Sequence, residues 1–186
     1  SEESKFWKFI SNKKYLNQSR IELDRRLLES FYKNKGYRDF RVLSDSIQFS
    51  EDKKKINLVL TLEEGPSYKY RNFSWEGMSL FSKNELERAL SLKKGDKYNE
   101  EAFNMAVYSR VQGLYLDRGY IYSRIEPQIT PVGKDSLDVN FSIVENHKVY
   151  INQIAIIGNT RTRENVIRRQ LRVFPGDVYS QERIAR

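Results

Sequence analysis

The chain repeats one pattern of residues. Residues 68–98 read YKYRNFSWEGMSLFSKNELERALSLKKGDKY, and residues 149–179 read VYINQIAIIGNTRTRENVIRRQLRVFPGDVY. Apolar residues and glycines of the two stretches match at one offset, because 81 residues separate Gly77 from Gly158. Eleven residues have an identical or apolar counterpart 81 positions later: Tyr68, Tyr70, Phe73, Trp75, Gly77, Leu86, Leu90, Gly95, Asp96, Tyr98 and Phe103. A fixed period of this length indicates a tandem array of one supersecondary unit.

A second match extends the array towards the N-terminus. The five residues Tyr15, Leu28, Tyr32, Gly36 and Tyr37 recur 83 positions later as Tyr98, Val111, Tyr115, Gly119 and Tyr120. The two matches predict three copies of one module. The first copy covers residues 1–65 and lacks its first strand, the central copy at 66–146 is complete, and the third copy at 147–186 is truncated.

The central copy changes from alternating to helical periodicity and back. It predicts a strand at Tyr68–Trp75, and then a helix that Ser82 and Glu85 begin as a capping box and Gly95 ends. The second helix buries Phe103, Ala106, Val107, Val111 and Leu114 and ends at Gly119. Two further strands follow at Ile121–Thr130 and Leu137–Ile143. The predicted fold class is α+β, with modules of order β-α-α-β-β and a three-stranded mixed sheet covered by two helices.

The incomplete copies follow the same plan. The first is predicted to hold helices at Phe6–Ile10 and Gln18–Lys35 and a hairpin of Val42–Phe49 with Ile56–Leu62. The inward residues of its second helix are Leu23, Leu27, Leu28, Phe31 and Tyr32. The third copy is predicted to hold a strand at Val149–Ile157 and a helix at Glu164–Val173, with Val166, Ile167 and Leu171 inward.

Composition excludes several classes of site. There are no cysteines, so disulfides and thiolate metal sites are ruled out. The only histidine, His147, has no serine or metal-ligand cluster near it in sequence, and no glycine-rich phosphate loop is present. We therefore expect no catalysis, no metal and no cofactor. A net charge of +8 fits a mixed solvated surface, with a weak attraction to anionic partners as the alternative.

Two strands are predicted to be sheet edges. An edge offers unpaired amides and carbonyls, to which an extended peptide can add as a further strand. The candidate edge residues are Val42, Ser44, Ile47, Phe49, Ile121, Ser123 and Ile125. We expect the edge at Val42–Phe49 to be the better acceptor, because Pro127 removes a donor from the other.

A cluster of arginines follows Thr160. Five arginines are matched by one acid, Glu164, and guanidinium groups bind carboxylates through two parallel hydrogen bonds. A solvated helix face is the alternative. We expect a partner-docking surface rather than an internal salt-bridge network, made of Arg161, Arg163, Arg168, Arg169, Gln170 and Arg172.

Several motifs resemble one known family. Residues 154–159 (IAIIGN), 166–172 (VIRRQLR) and 175–179 (PGDVY) resemble the opening of the membrane-proximal POTRA domain of Omp85-family outer-membrane assembly proteins. Residues 31–37 (FYKNKGY) and 115–120 (YLDRGY) resemble the helix-to-strand corner of that family. The resemblance covers the whole chain, as the end of the third, all of the fourth and the start of the fifth of five domains. Gln170 departs from it, because many relatives carry an acid there.

The resemblance implies a function. It implies a periplasmic arm, in a Gram-negative bacterium, that receives unfolded outer-membrane proteins and docks accessory lipoproteins. It also implies contacts with the membrane surface and with a C-terminal barrel that this sequence lacks, and no binding of nucleic acid. Two alternatives stay open: the POTRA region of another Omp85-type translocation or secretion protein, and a basic nucleic-acid-binding module, which a steep salt dependence of affinity would reveal.

Overall fold

The computed structural model describes residues 18–49 and 56–185, which span parts of all three copies. The first copy contains helix α1 (Gln18–Asn34) and strands β1 (Arg41–Phe49) and β2 (Ile56–Glu63). The central copy contains β3 (Lys69–Glu76), α2 (Lys83–Leu90), α3 (Glu100–Asn104), a π-helical segment (Met105–Val111), α4 (Gln112–Asp117), β4 (Arg124–Val132) and β5 (Ser136–Val144). The third copy contains α5 (Glu164–Arg168) and α6 (Gln181–Ala185). The predicted helix at Phe6–Ile10 lies outside the described residues.

The central copy has the predicted order of elements. Its three strands form a sheet in the order β3-β5-β4, with β3 parallel and β4 antiparallel to β5. In the first copy, β1 and β2 form an antiparallel pair with a bulge between Val42 and Ser44. The prediction of an α+β fold with a mixed three-stranded sheet is confirmed.

The core lies between the helices and one face of the sheet. The alternation along β5 buries Leu137, Val139, Phe141 and Ile143, as expected for a strand with one covered face. Trp75 of β3 stacks on Phe141 with ring centroids 4.2 Å apart. Burying such side chains stabilises the module by about 1.5–3 kcal/mol each, which holds the three strands in one register.

Helix α2 begins where the sequence predicts and ends earlier. The Ser82 amide donates to Oε2 of Glu85 (2.8 Å), and the Glu85 amide donates back to Oγ of Ser82. The predicted stop at Gly95 is wrong, because the helix ends at Leu90. Ser91 takes the left-handed conformation (φ 55°) in place of a glycine and donates its amide to the Glu87 carbonyl.

The second helix of the central copy has a different inward residue from the one predicted. Tyr115 is fully buried and Leu114 is only partly buried. Seven residues, Met105–Val111, form a π-helical segment. A π-helical turn contains more residues than an α-helical turn, so the inward position moves along the sequence by one residue.

The apolar faces of the incomplete copies are less covered than predicted. Leu23, Leu27 and Phe31 of α1 are 56%, 51% and 44% exposed, and Val166 of α5 is 51% exposed. In the central copy, α2 and β3 supply the opposite side of the core. No described residue of the first copy takes their place, so the predicted inward face of α1 has no complete core to face.

The third copy also forms less secondary structure than predicted. Among the described residues, the segment 149–157 contains only an isolated bridge between Tyr150 and Val178, and helix α5 ends at Arg168 rather than Val173. A strand needs a neighbouring ladder, and no described residue plays the part that β5 plays for β3. Within the described ranges, no helix has the length and apolar content needed to cross a membrane.

Glu145 fastens the end of β5 to the start of the helical layer. Its Oε1 accepts hydrogen bonds from the amides of Ser79 (2.8 Å) and Leu80 (3.0 Å) and from the Tyr115 hydroxyl (3.2 Å). Burial raises the pKa of Glu145, but a hydrogen bond from the Ser79 hydroxyl to Oε2, together with the bonds to Oε1, outweighs it, so the pKa lies below its usual value of 4.5. The carboxylate is therefore a structural group of the central copy.

We predict that Glu145→Gln lowers the stability of the chain by about 1 kcal/mol at neutral pH, because hydrogen bonds to the charged acceptor weaken. The pKa of Glu145 is depressed in the folded state, so its contribution is complete above pH 4.5 and is lost as the pH falls through the folded pKa. Thermal unfolding between pH 3 and pH 7 checks this. A difference between the two proteins that stays constant over this range would contradict it.

Candidate binding surfaces

The edge at β4 begins later than predicted. Ile121 and Ser123 precede the strand, which starts at Arg124, so neither is an edge residue. The Ser123 hydroxyl donates to the Tyr120 carbonyl (2.7 Å), and Nε2 of Gln112 donates to the carbonyl and hydroxyl of Ser123. These bonds form a turn after Gly119. Ser123 is buried in this turn, and its polar groups are bonded within the chain.

Hydrogen bonds on the outer side of β3 show in which direction the backbone groups of the sheet point. The Tyr70 amide donates to the Asp96 carbonyl (3.0 Å), and the Tyr70 carbonyl accepts from the Gly95 amide (2.7 Å), so both point away from β5. Tyr70 is in register with Leu137 of β5, and in a parallel pair only one of two opposed residues points to the other strand. Leu137 therefore faces β3, and its neighbour Asp138 faces β4.

The free edge of β4 carries the backbone groups that point away from β5. Pro127 is opposite Phe141, which faces β3, so residue 127 points away from β5 to the open side. Alternation places Ile125, Ile129 and Pro131 on that side as well. The two prolines lack amides, so only Ile125 and Ile129 can donate to an added strand.

Strand β1 has no such gaps. It spans Arg41–Phe49 and contains Val42, Ser44, Ile47 and Phe49, and none of its residues is proline. In the described part of the chain it pairs only with β2. One of its carbonyls is engaged, since Nη2 of Arg25 donates to Val42 O (2.9 Å). Alternate amides of β1 bond β2, and those between them point to the open side.

A groove runs beside the β4 edge and reaches the first copy. It has a volume of about 410 Å³. Phe103, Tyr108 and Ile129 supply apolar surface, and the cations Lys33 and Arg38 and the acids Asp39 and Glu100 also line it. Side chains of a strand added to β4 would enter this groove, because the odd-numbered residues of β4 face the helices.

The arginine cluster is split between structural and free side chains. Nε of Arg168 bonds Oε1 of Glu164 (2.7 Å), and Nη2 donates to the Ile154 carbonyl (3.1 Å). Arg168 therefore departs from the expected docking role. Among the described residues, no ion pair involves the other four arginines; these and Gln170 are exposed: Arg161, Arg163, Arg169, Gln170 and Arg172.

His147, the single histidine of the chain, lies at an exposed position. The ring of His147 lies beside that of Tyr122, with centroids 5.3 Å apart. No group of three or more metal-ligating side chains comes together in residues 18–49 and 56–185. The surfaces described above are backbone edges and exposed cations, which suit binding.

The repeat matches a known family of domains. The family model POTRA, described as "Surface antigen variable number repeat", matches residues 5–65, 68–146 and 149–186. The chain belongs to the POTRA family. The three matched segments follow the three copies of the repeat along nearly the whole sequence.

Relatives of this POTRA chain are outer-membrane assembly factors. It is 33% identical over 186 residues to the outer membrane protein assembly factor BamA of Neisseria meningitidis serogroup B, covering 99% of this chain and 23% of the relative. BamA of Neorickettsia risticii is 26% identical, with 100% and 25% covered. The chain spans about a quarter of the length of these curated relatives. The predicted resemblance is confirmed.

A solved structure has the same fold. POTRA domains 3–5 of BamA from Haemophilus influenzae superpose with a TM-score of 0.67 at 22% identity, covering 94% of this chain and 68% of that one. The likeness concerns the fold of consecutive POTRA modules.

Two junctions between POTRA modules use one arrangement of bonds. The Tyr68 amide donates to Gly36 O (2.9 Å) at the first, and the Val149 amide donates to Gly119 O (2.8 Å) at the second. Gly119 has φ 88°, and a Cβ there would lie 2.5 Å from Val178, so the close approach requires glycine.

Each junction also caps a helix across the boundary. Oδ1 of Asn34 accepts from the Glu101 amide (3.0 Å), and Oδ1 of Asp117 accepts from the Glu182 amide (2.9 Å). These two pairs were not predicted from the sequence. The signal was present, since Asn34 and Asp117 are 83 residues apart, and Glu101 and Glu182 are 81 apart.

We predict that Asn34→Ala loosens the first junction, because the first turn of α3 loses a cap that belongs to the preceding module. Hydrogen exchange at the Glu101 amide should accelerate about fivefold, the equivalent of about 1 kcal/mol. Asn152→Ala, at an exposed position, is the control. Equal exchange rates in both variants would show that the contact does not couple the modules.

Proposed function

We propose that this chain is part of the periplasmic arm of an outer-membrane β-barrel assembly protein in a Gram-negative bacterium. In this role it binds unfolded outer-membrane proteins by adding their segments to its sheet edges. The observation that carries the proposal is a set of unpaired strand edges on POTRA modules whose relatives are named outer membrane protein assembly factors. The proposed role is non-enzymatic and needs no cofactor.

Strand addition suits clients of varied sequence. The affinity comes from backbone hydrogen bonds, which every residue except proline can form, and alternate side chains supply selectivity. Strand β1 is the stronger proposed acceptor because none of its residues is proline, so every amide that points away from β2 can donate. Strand β4 is weaker, with outward donors at Ile125 and Ile129 only.

We predict that a ten-residue peptide copied from a transmembrane strand of an outer-membrane barrel protects β1 amides from exchange. Within β4 it should newly protect the amides of Ile125 and Ile129 alone, because Gln128 is already bonded to β5. Amide exchange measured by NMR checks both strands. Chemical-shift changes confined to helix faces would rule out strand addition.

A proline replacement makes the test sharper. Pro127→Val restores one outward donor at a position that faces away from β5, so the sheet keeps its ladder. One added hydrogen bond should tighten peptide binding at β4 about fivefold. Pro66→Val, outside the sheet, is the matched control.

We also propose that Arg161, Arg163, Arg169, Gln170 and Arg172 dock an acidic partner. An accessory lipoprotein, the turns of the protein's own barrel and the membrane surface are the candidate partners. Exposed ion pairs contribute about 0–1 kcal/mol to folding, so stability is a poor reason for so many unpaired guanidinium groups. Arg168 is excluded from this surface by its bonds to Glu164 and Ile154.

We predict that Arg169→Glu weakens capture of an acidic accessory lipoprotein about tenfold and leaves the Tm within about 1 °C, because its side chain has no described partner. Arg168→Glu should lower the Tm, since it removes an ion pair and a bond to a backbone carbonyl. Pull-down and thermal unfolding of the full-length protein measure both. A large loss of stability in Arg169→Glu with intact capture would show a structural role instead.

A further inference from the structure

A groove opens beside β3, on the side of the central sheet opposite to β4. Its volume is about 710 Å³. Phe73 of β3 lines one wall, and α2 and the segment that follows it line the other. The lining residues are Phe73, Asn84, Glu87, Arg88, Ser91, Leu92, Lys93 and Lys94. This groove is distinct from the β1 and β4 edges and from the arginine cluster.

Half of the adjoining β3 edge is covered by the chain itself. Residues 95–98 bond to Tyr68 and Tyr70, through the Gly95 and Tyr98 amides and the Asp96 carbonyl. Beyond a bulge at Arg71, Phe73 is in register with Val139 and Trp75 with Phe141. Both partners on β5 face β3, so the amides and carbonyls of Phe73 and Trp75 point outward. No described residue outside the sheet is bonded to them.

In the third copy of the repeat, the carbonyl that corresponds to that of Phe73 is already hydrogen-bonded. Ile154 of that copy lies 81 positions after Phe73, and the Ile154 carbonyl accepts a hydrogen bond from Arg168. Arg168 in turn lies 81 positions after Glu87. The third module therefore satisfies with its own guanidinium the carbonyl that the central module leaves open to its groove.

The charges of the groove favour an anionic occupant. Arg88, Lys93 and Lys94 are exposed cations, and Glu87 is the one acid in the lining. Glu87 is already paired with Lys83, with Nζ and Oε1 3.7 Å apart. The groove thus combines unpaired strand amides with an excess of positive charge.

We propose that this groove binds a short, extended, acidic peptide segment of a partner protein. The segment continues the ladder of residues 95–98 along Phe73 and Trp75, and its carboxylates reach Arg88, Lys93 and Lys94. Backbone pairing sets its direction, and charge selects acidic over basic sequences. The third module, closed by Arg168, does not bind it.

An exchange of two charges tests this proposal by giving the central copy the ion pair found in the third copy. Lys83→Glu combined with Glu87→Arg recreates the Glu164–Arg168 pair, keeps the net charge and places a guanidinium on the Phe73 carbonyl. An eight-residue peptide alternating Glu and Val is the probe, titrated into the whole chain by NMR. We expect shifts at the Phe73 and Trp75 amides, and binding about tenfold weaker in the swap variant.

Controls separate strand pairing from simple charge attraction. Lys93→Gln should weaken the acidic peptide severalfold, whereas Lys134→Gln, in the β4–β5 turn, should not. A matched peptide alternating Lys and Val should produce no shifts at Phe73. Equal binding to the swap variant and the original chain, or stronger binding to anionic vesicles than to the peptide at these residues, would overturn the proposal. Neither result concerns β1 or β4, so the client-strand proposal is tested separately.

Discussion

Strand β5 is hydrogen-bonded on both of its sides, and this double pairing governs the central module. Its odd-numbered residues bond β3 and its even-numbered residues bond β4, while its buried side chains anchor the two helices. Because β5 is hydrogen-bonded on both sides, the free backbone groups of the sheet can lie only on the outer sides of β3 and β4. Every binding surface proposed for this module lies on one of those two sides or beside it.

The two outer edges of the sheet are protected in different ways. The β4 edge is blunted by Pro127 and Pro131, both at outward positions, where they remove donors without breaking the ladder to β5. The β3 edge is covered over half its length by the turn at residues 95–98. Exposed edges promote aggregation between sheets, so each device limits self-pairing while leaving a short acceptor. Edges shortened in this way can offer only a few backbone hydrogen bonds to an added strand.

Sequence periodicity predicted the elements well where burial dictates the residue types. The alternation of β5, the capping box at Ser82 and the repeat of Gly36 and Gly119 all appear in the structure as expected. Local conformation was harder to predict. The π-helical segment moved the inward position from Leu114 to Tyr115, and Ser91 ended α2 in a conformation that usually selects glycine. Neither feature follows from local propensity, which tertiary context can override.

The repeat, the order of elements and the family resemblance were present in the amino-acid sequence, because apolar spacing and glycine positions follow from secondary structure alone. The direction in which each backbone amide of a strand points could not be read from the sequence. Which amides of β4 face outward is fixed by the register in which β4 pairs with β5, and no local pattern records that register. Likewise, the arginine cluster was visible as a run of charge, but the fold alone placed Arg168 on the Ile154 carbonyl and left Arg169 exposed. Hydrogen bonds between distant segments require the folded chain to bring the two partners together.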